Sequence, residues 1–297
     1  MISKHNTGIS DKTVYFINYV LITIFTLIVL YPVIFVLSAS FSDGNAVMHG
    51  KVWLYPVGFT TRGYEAIFKY SAIMTGYANS LYYMIVGTVL SVFMSALGAY
   101  PLSRKDFSGK KFFMILLLIT MFFSGGLIPS YLLIKSLGLI NTRWVMILPG
   151  LVSAYNIFVF RTYINNTIPL ELFEASRMDG INDFQYLFRI VIPLSKPIMA
   201  VLALWHAVGS WNSYFTAMIY LRDRNLFPLQ LFLREVLLQN VDIDVSMMDI
   251  EEVNERRQLQ QLLRYSMIVA GSLPLMIAYP FIQKYFVKGV MVGSLKG

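Results

Sequence analysis

The sequence predicts an all-α integral membrane protein with six transmembrane helices. Of its 297 residues, 57% are hydrophobic and 13% are charged, whereas soluble domains average about 45–50% apolar and about 25% charged residues. Six stretches reach the roughly 20 mostly apolar residues that a helix needs to cross a bilayer. Few long polar stretches remain from which a soluble domain could fold, so we expect one integral unit.

The first predicted span follows a short polar segment that carries Lys4 and Lys12. Its apolar run is longer than the core of a signal peptide, which is about 7–15 residues, so we expect a retained helix. The sequence "SAS" at 38–40 resembles a cleavage site and leaves a cleaved signal open as the alternative. The predicted spans cover residues 14–39, 77–102, 111–135, 144–164, 198–220 and 265–287.

Polar and helix-breaking residues mark the second and fourth spans. Asn79 is expected to cap the start of the second span, because an asparagine side chain accepts hydrogen bonds from the free N–H groups of a first turn. Pro149, Gly150 and Asn156 interrupt the fourth span. Membrane helices tolerate such residues where neighbouring helices satisfy the freed polar groups, so the fourth span is kept.

Basic residues favour a topology with both termini in the cytoplasm. The loop "SRKDFSGKK" places four basic residues in one short segment, and inner loops carry the excess of Lys and Arg. The sequence "EEVNERRQLQQLLRY" predicts a charged helix that leads into the last span. The predicted organisation comprises a cytoplasmic N terminus 1–13, a six-helix domain 14–287 with outer loops 40–76 and 221–264 and an inner segment 169–197, and a cytoplasmic tail 288–297.

The composition excludes several kinds of chemistry. The chain has no cysteine, which excludes disulfides and thiolate catalysis, and its three histidines are too widely spaced for a metal site. Gly109-Lys110 lacks the upstream glycine and the following Ser or Thr of a phosphate-binding loop. The net charge of +8 is spread over loops, so anionic lipid rather than nucleic acid is the expected partner. We expect no catalytic site, cofactor or metal in this chain.

Residues 169–197 interrupt the apolar pattern with charges, and we call this segment the elbow. Pro169 suits a first helical turn, where its missing N–H costs nothing. The sequence "LELFEASRM" then predicts a short helix with Glu174 and Arg177 on one face. Gly180 is expected to end it, since glycine readily adopts the left-handed conformation just past a helix end.

A second short helix is predicted after this glycine turn. Asn182 and Gln185 match a capping box, and Pro193 is expected to end the helix. Apolar residues at i, i+3, i+4 and i+7 predict one stripe, formed by Phe184, Leu187, Phe188 and Val191. Such an elbow either docks on a cytoplasmic protein or lies in the lipid headgroups. Its balance of acidic and basic residues favours a protein groove, because membrane-surface helices are rich in Lys and Arg.

The elbow resembles the EAA loop of ABC-importer membrane subunits, with its Glu-Ala-Ala, three residues, glycine, and about nine residues to Ile-x-Leu-Pro. Matching positions in "EASRMDG" and "RIVIPLSKP" are Glu174, Ala175, Gly180, Ile190 and Pro193, while Ser176 and Ile192 depart from the pattern. The resemblance implies a coupling helix seated in a cleft of a separate ATP-hydrolysing subunit. The residues implied at that contact are Glu174, Ala175, Ser176, Arg177, Asp179, Gly180 and Phe184.

The resemblance extends over nearly the whole chain. The sequence "NSLYYMIVGTVLSVFMSALGAYPLSRKDFSGKK" is similar to the second span of maltose-type carbohydrate permeases, with its Asn-Ser-Leu start and Ala-Tyr-x-Leu-Ser-Arg end. This implies a type I ABC-importer, MetI-like permease fold, similar to the smaller maltose permease subunit. The chain looks closest to the Gram-positive branch associated with complex oligosaccharides, such as pectin- or uronate-derived fragments.

The same resemblance implies a set of partners. They are a second homologous permease subunit, an ATPase dimer that uses ATP and Mg, an extracellular solute-binding protein, an oligosaccharide substrate and the lipid membrane. The expected location is the plasma membrane of a bacterium. Two other functions stay open. An ion-coupled secondary transporter would need intramembrane carboxylates, and none of the six predicted spans contains Asp or Glu; the other is a membrane-anchored assembly component.

Amides and aromatic residues in the spans are candidates for a sugar pathway. Sugars present apolar faces and hydroxyl rings, which suit amphipathic aromatic residues with amide neighbours. The candidates are Asn156, Trp211, Asn212 and Tyr214. The alternatives are an interfacial aromatic belt and, for Asn156, an interhelical hydrogen bond. His206 is expected to be a satisfied buried histidine.

Overall fold

A computed structural model describes residues 9–238 and 250–294, with the side chains of 12–237 and 254–280. Every regular element in these ranges is helical, so the predicted all-α class is confirmed. The first seven helices are α1 (Ile9–Ser40), α2 (Gly44–Met48), α3 (Arg62–Lys69), α4 (Ser71–Ser103), α5 (Lys110–Phe122), α6 (Leu127–Ser136) and α7 (Ala154–Thr167). The others are α8 (Leu170–Met178), α9 (Asp183–Tyr186), α10 (Ile192–Leu194), α11 (Lys196–Trp211), α12 (Phe215–Tyr220), α13 (Leu229–Leu238) and α14 (Ile250–Ser294).

The chain divides into two compact units. Of the described residues, 9–70, 236–238 and 250–271 form the first unit, and 71–235 and 272–294 form the second. In the first unit, a Cβ on Gly63 would lie 3.0 Å from the carbonyl oxygen of Leu262, so α3 and α14 approach closely because this residue is glycine. The Ser266 hydroxyl on α14 donates to the carbonyl of Ser40 at 3.3 Å.

The second unit is built around α4, which packs against α7 and α11. Small residues line these contacts. A Cβ on Gly98 would lie 3.0 Å from Ile157, and one on Gly87 would lie 3.1 Å from Nε2 of His206. Small residues at helix interfaces let backbones approach closely. Such close packing drives helix association in membranes, because lipid tails are as apolar as the side chains and the hydrophobic effect does not favour contact between helices.

Three helical segments are long and apolar enough to cross a membrane unbroken: Lys12–Ser40, Ser71–Ser103 and Asn254–Pro280. Three further pairs of consecutive helical segments are long and apolar enough only when each pair is taken together, and each pair is bent. The pairs are Lys110–Phe122 with Leu127–Ser136, Arg143–Gly150 with Ala154–Thr167, and Asp183–Leu194 with Lys196–Trp211. By length and composition the described residues therefore hold three spans, or up to six if each bent pair is one span.

Three of the predicted spans are not single helices. The third breaks between α5 and α6, which are bent by 115°, and Gly126 at the break has a φ of 81° that favours glycine. The fourth breaks between Arg143–Gly150 and Ala154–Thr167, which are bent by 50°. The fifth breaks at residues 212–214, between α11 and α12. Apolar composition predicted the length of these segments but not their bends, because hydropathy is insensitive to backbone conformation.

The predicted cap at Asn79 is wrong. The helix α4 begins at Ser71, so Asn79 lies inside it and is buried. Its side-chain amide donates to the carbonyls of Asn225 and Phe227 at 2.7 and 3.1 Å. The amide therefore satisfies carbonyls of a non-local loop, which no local pattern in the sequence could reveal.

The segments predicted as outer loops contain helices of their own. Residues 40–76 hold α2, α3 and the start of α4, and 221–264 hold α13 and the start of α14. The charged helix predicted to lead into the last span is confirmed, since α14 is continuous from Ile250. Residues 1–8, 239–249 and 295–297 lie outside the described part of the chain, so the predicted terminal segments are only partly covered.

Candidate coupling site and candidate pathway

The first helix of the elbow, α8, has the predicted bounds. Pro169 lies just before it in an extended conformation and acts as its N-cap residue. The helix ends at Met178, and Gly180 follows with a φ of 74°. The N–H groups of Gly180 and Ile181 donate to carbonyls of the last turn at 3.1 and 3.0 Å. The predicted glycine turn is confirmed, and it closes the helix by satisfying its free carbonyls.

The second helix of the elbow begins with the predicted capping box. The backbone N–H of Gln185 donates to Oδ1 of Asn182 at 2.9 Å, and the N–H of Asn182 donates to Oε1 of Gln185 at 3.2 Å. Both halves of the box are present. A cap of this type satisfies two of the free N–H groups at the start of α9.

The predicted single apolar stripe is wrong. After α9 the backbone from Leu187 to Val191 is π-helical, and the N–H of Ile192 bonds to the carbonyl of Leu187. Because a π-helix turns through more residues than an α-helix, side chains spaced for an α-helix no longer share one face. Leu187 and Val191 are buried, whereas Phe184 is 72% exposed and Phe188 is exposed.

Pro193 does not end the helix as predicted. It lies in the first turn of α10, where a proline needs no N–H partner. The break comes at Ser195, before Lys196-Pro197, and the helices on its two sides are bent by 79°. The elbow therefore continues helically through the first proline and bends beside the second.

Six of the seven residues predicted at the coupling contact are exposed: Glu174, Ala175, Arg177, Asp179, Gly180 and Phe184. The seventh, Ser176, is 3% exposed, and its hydroxyl donates to the carbonyl of Phe173 at 2.7 Å. The Glu174 side chain makes no hydrogen bond or ion pair with another residue of the described chain. Arg177 instead pairs with Asp183 across the glycine turn, at 3.3 Å. Met178 is exposed as well.

Residues on the inner side of the elbow were missed by sequence reasoning. Arg104 follows the end of α4 and places its guanidinium 3.1 Å from the centre of the Phe173 ring. The Tyr100 hydroxyl donates to Oδ1 of Asp183 at 3.0 Å. Both residues belong to the "AYPLSR" motif, which was a sequence signal for a role at this end of α4. A cavity of about 400 Å³ lies beside these contacts and is also lined by Glu174.

Asp106 fixes the orientation of the Arg104 guanidinium through two hydrogen bonds. Nε and Nη2 of Arg104 donate to the two carboxylate oxygens of Asp106 at 3.0 and 2.6 Å. This hydrogen-bonded guanidinium holds the pKa of Asp106 below its usual value. Asp106 therefore stays ionised at neutral pH and holds the guanidinium in one plane, in a two-point geometry that lysine cannot reproduce.

A second candidate region is a cavity of about 350 Å³ within the second unit. Asn156 at the start of α7 lines it, together with Trp205 and His206 of α11. The hydroxyl-bearing residues on its wall are Ser210, Ser213 and Thr216. Aromatic, amide and hydroxyl groups around one cavity are the chemistry that binds sugars.

The other predicted pathway residues do not line this cavity. Trp211 is 1% exposed and packs edge-to-face against Tyr77, with ring centres 5.6 Å apart. The Asn212 amide donates to the carbonyl of Val208 at 2.9 Å at the end of α11. Tyr214 is exposed on the segment between α11 and α12. The structure thus brings Asn156 together with His206 and leaves the three others outside the cavity.

Residues 1–292 match the family model described as binding-protein-dependent transport system inner membrane component. The chain belongs to this family. As a permease subunit it is a component of a transporter rather than an enzyme, and the resemblance to ABC-importer permeases is confirmed. The all-helical structure agrees with the expected MetI-like permease fold.

Two relatives and one solved structure match almost the whole chain. The polygalacturonan/rhamnogalacturonan transport system permease protein YtcP of Bacillus subtilis (strain 168) is 38% identical over 94% of this permease and 96% of the relative. The arabinooligosaccharides transport system permease protein AraQ of Halalkalibacterium halodurans is 30% identical over 91% and 92%. A crystal structure of a bacterial ABC transporter that imports the acidic polysaccharide alginate matches with a TM-score of 0.85 and 35% identity, over 94% of this permease and 98% of that chain.

Proposed function

We propose that this permease subunit carries uronate-containing oligosaccharides, such as pectin fragments, across the cytoplasmic membrane of a bacterium. The observation that carries the proposal is the similarity to the polygalacturonan/rhamnogalacturonan permease and to the alginate importer. Both names refer to acidic polysaccharides. The subunit pairs with a second, homologous permease, sits on two copies of an ATPase and receives sugar from an extracellular binding protein. ATP and Mg belong to the ATPase.

The proposed topology has six spans with both termini in the cytoplasm. Contacts between loops of the second unit support this topology, because loops that it assigns to the same side of the membrane contact one another. The segment after α4 meets the elbow, through Arg104 and Phe173. The loop after α6 meets the segment after α12, where Oδ1 of Asn141 accepts hydrogen bonds from the N–H groups of Arg222 and Asp223. The first pair of segments includes the basic loop and belongs on the cytoplasmic side.

The elbow acts in this proposal as the coupling helix. Its outer surface offers an unpaired carboxylate at Glu174 and apolar side chains at Met178 and Phe184. An apolar anchor beside an acidic group favours a protein groove, because membrane-surface helices carry mainly Lys and Arg on their polar face. ATP binding closes the ATPase dimer, the elbow moves with it, and the spans swing between outward and inward access.

The cavity beside Asn156 is proposed as part of the sugar path. Asn156 and the serine and threonine hydroxyls offer hydrogen bonds to sugar hydroxyls, and Trp205 offers an aromatic face. Of the four predicted pathway residues, only Asn156 lines this cavity, while Trp211, Asn212 and Tyr214 lie outside it.

A reconstituted complex tests the proposed substrate. The complex of this subunit, its permease partner, the ATPase and the binding protein would be assayed for ATP hydrolysis with oligogalacturonides, alginate oligomers and neutral malto-oligosaccharides. We expect an acidic oligosaccharide to stimulate hydrolysis at least about tenfold more than a neutral one of equal length, because specific polar recognition discriminates strongly. Equal stimulation by neutral sugars would overturn the acidic-substrate proposal. Transport without any ATPase would overturn the proposal that this subunit belongs to an ATP-driven importer.

A further inference from the structure

The end of α4 touches both helices of the elbow, on either side of the glycine turn. Arg104 lies over the ring of Phe173, which belongs to α8. Tyr100, one helical turn earlier, donates its hydroxyl to Asp183, the first residue of α9. The two contacts therefore straddle Gly180, the point at which the elbow changes direction.

The Arg104 contact is built to be rigid. The Arg104 side chain is only 13% exposed, and two hydrogen bonds to Asp106 hold its guanidinium. Its backbone carbonyl also accepts a hydrogen bond from Nζ of Lys110, at 3.1 Å. A desolvated guanidinium over an aromatic face is attracted more strongly than an exposed one.

The Tyr100 contact continues into the elbow through aromatic rings. The ring of Tyr186 lies 6.1 Å from that of Tyr100 and 5.2 Å from that of Phe173, in an edge-to-face arrangement with the latter. Asp183 also pairs with Arg177, the last charged residue of α8. The hydroxyl, the carboxylate and the three rings thus connect α4, α8 and α9 in one cluster.

We propose that Tyr100 and Arg104 are positioning residues that lock the elbow onto α4, so that a movement of the elbow is transmitted to the membrane helix. This rests on the proposed function, in which the elbow contacts an ATPase. A glycine turn by itself fixes the angle between two short helices poorly, because glycine has the largest conformational freedom. Contacts on both sides of that turn convert the elbow into one rigid body attached to α4.

Ordinary core packing is the competing explanation of the cluster. If the cluster only stabilised the fold, conservative substitutions would lower the amount of assembled complex and leave its regulation intact. If it transmits movement, Arg104→Lys and Tyr100→Phe leave assembly intact and weaken the response to the binding protein. Arg104→Lys keeps the charge and removes the planar fork, and Tyr100→Phe removes one hydroxyl.

The experiment uses the complete transporter and spin labels on this subunit. Because the chain has no cysteine, Met94→Cys on α4 and Leu172→Cys on α8, outside the proposed docking residues, introduce two labelling sites that are unique within this subunit. Both side chains are exposed. Pulsed electron paramagnetic resonance gives the distribution of distances between them, and ATP hydrolysis is measured with and without sugar-loaded binding protein. Lys111→Arg and Tyr82→Phe are matched controls, an exposed cation swap at the start of α5 and a hydroxyl removal elsewhere on α4.

We expect Arg104→Lys and Tyr100→Phe to broaden the distance distribution and to lower the stimulation by binding protein about 3- to 10-fold, the size expected for the loss of one cation–π contact or one hydrogen bond. Basal hydrolysis and the amount of ATPase that copurifies stay within about twofold. The double variant Phe173→Leu with Arg104→Lys is expected to lose no more stimulation than the more severe single variant, because both substitutions disrupt the same contact between Arg104 and Phe173.

An unchanged distance distribution with normal stimulation in both variants would overturn the proposal. Equal losses of assembly and of stimulation would overturn it as well, in favour of a packing role. If no ATPase copurifies with the unsubstituted chain, the proposed function fails. In that case the distance measurement on the purified subunits still shows whether Tyr100 and Arg104 hold the elbow.

Discussion

At the scale of single residues, Glu174 combines a carboxylate without an ion pair among the described residues with a position at the edge of a cavity. Arg177 pairs with Asp183, and Arg104 pairs with Asp106, whereas Glu174 makes no such contact among the described residues. Its carboxylate lies at the edge of a cavity on an exposed helix. An unpaired acidic group beside exposed apolar side chains is available to a partner. It contributes strongly to the binding free energy only when the contact excludes water.

Replacement of this carboxylate should weaken docking. We expect Glu174→Ala to lower the affinity for the ATPase by more than about tenfold, or to uncouple hydrolysis from transport, because loss of one member of a charged contact at an interface leaves the other buried and unpaired. Membrane insertion should be unaffected. Copurification of the ATPase and sugar uptake measure the two effects, with the exposed Glu171→Ala on the same helix as the control. Normal assembly together with normal uptake in Glu174→Ala would remove the residue from the contact.

At the scale of elements, the elbow shows how far local patterns predict structure. The end of α8 at Gly180 and the capping box of α9 follow from residues within one turn, and both were predictable from the sequence. The π-helical turn that follows was not, because the apolar residues there have ordinary α-helical spacing. The Arg104 contact with Phe173 joins segments far apart in the chain, so it could be found only in three dimensions.

The glycine turn gives a prediction at this scale. A Cβ at Gly180 would meet no atom within 4 Å, and the residue has a φ of 74°, so the effect of a side chain there is purely conformational. We expect Gly180→Ala to destabilise the elbow by about 1–2 kcal/mol, and Gly180→Asn by less, because asparagine tolerates the left-handed conformation. The thermal midpoint of the purified complex and the spin-label distance between α4 and the elbow measure this. Indistinguishable Ala and Asn variants would show that the turn carries no such constraint.

At the scale of the whole molecule, apolar surface dominates. Side chains along α1 from Val14 to Leu37 are largely exposed, which is expected of a helix that faces lipid or another membrane subunit. Composition and span lengths therefore predicted the membrane class and the all-α fold. They did not predict the bends at residues 123–126 and at Ser195. Hydropathy indicates whether a segment lies in the membrane, but it carries no information on the backbone conformation of that segment.

Side-specific crosslinking tests the central claim, that the elbow docks on a separate ATPase in the cytoplasm. Phe184 and Phe59 are each 72% exposed, and the proposed topology places them on opposite sides of the membrane. With a single cysteine at either position in the assembled transporter, we expect Phe184→Cys to crosslink to the ATPase and to resist an impermeant external thiol reagent. Phe59→Cys should react with that reagent. External labelling of Phe184→Cys, or crosslinks from it to lipid alone, would contradict the account.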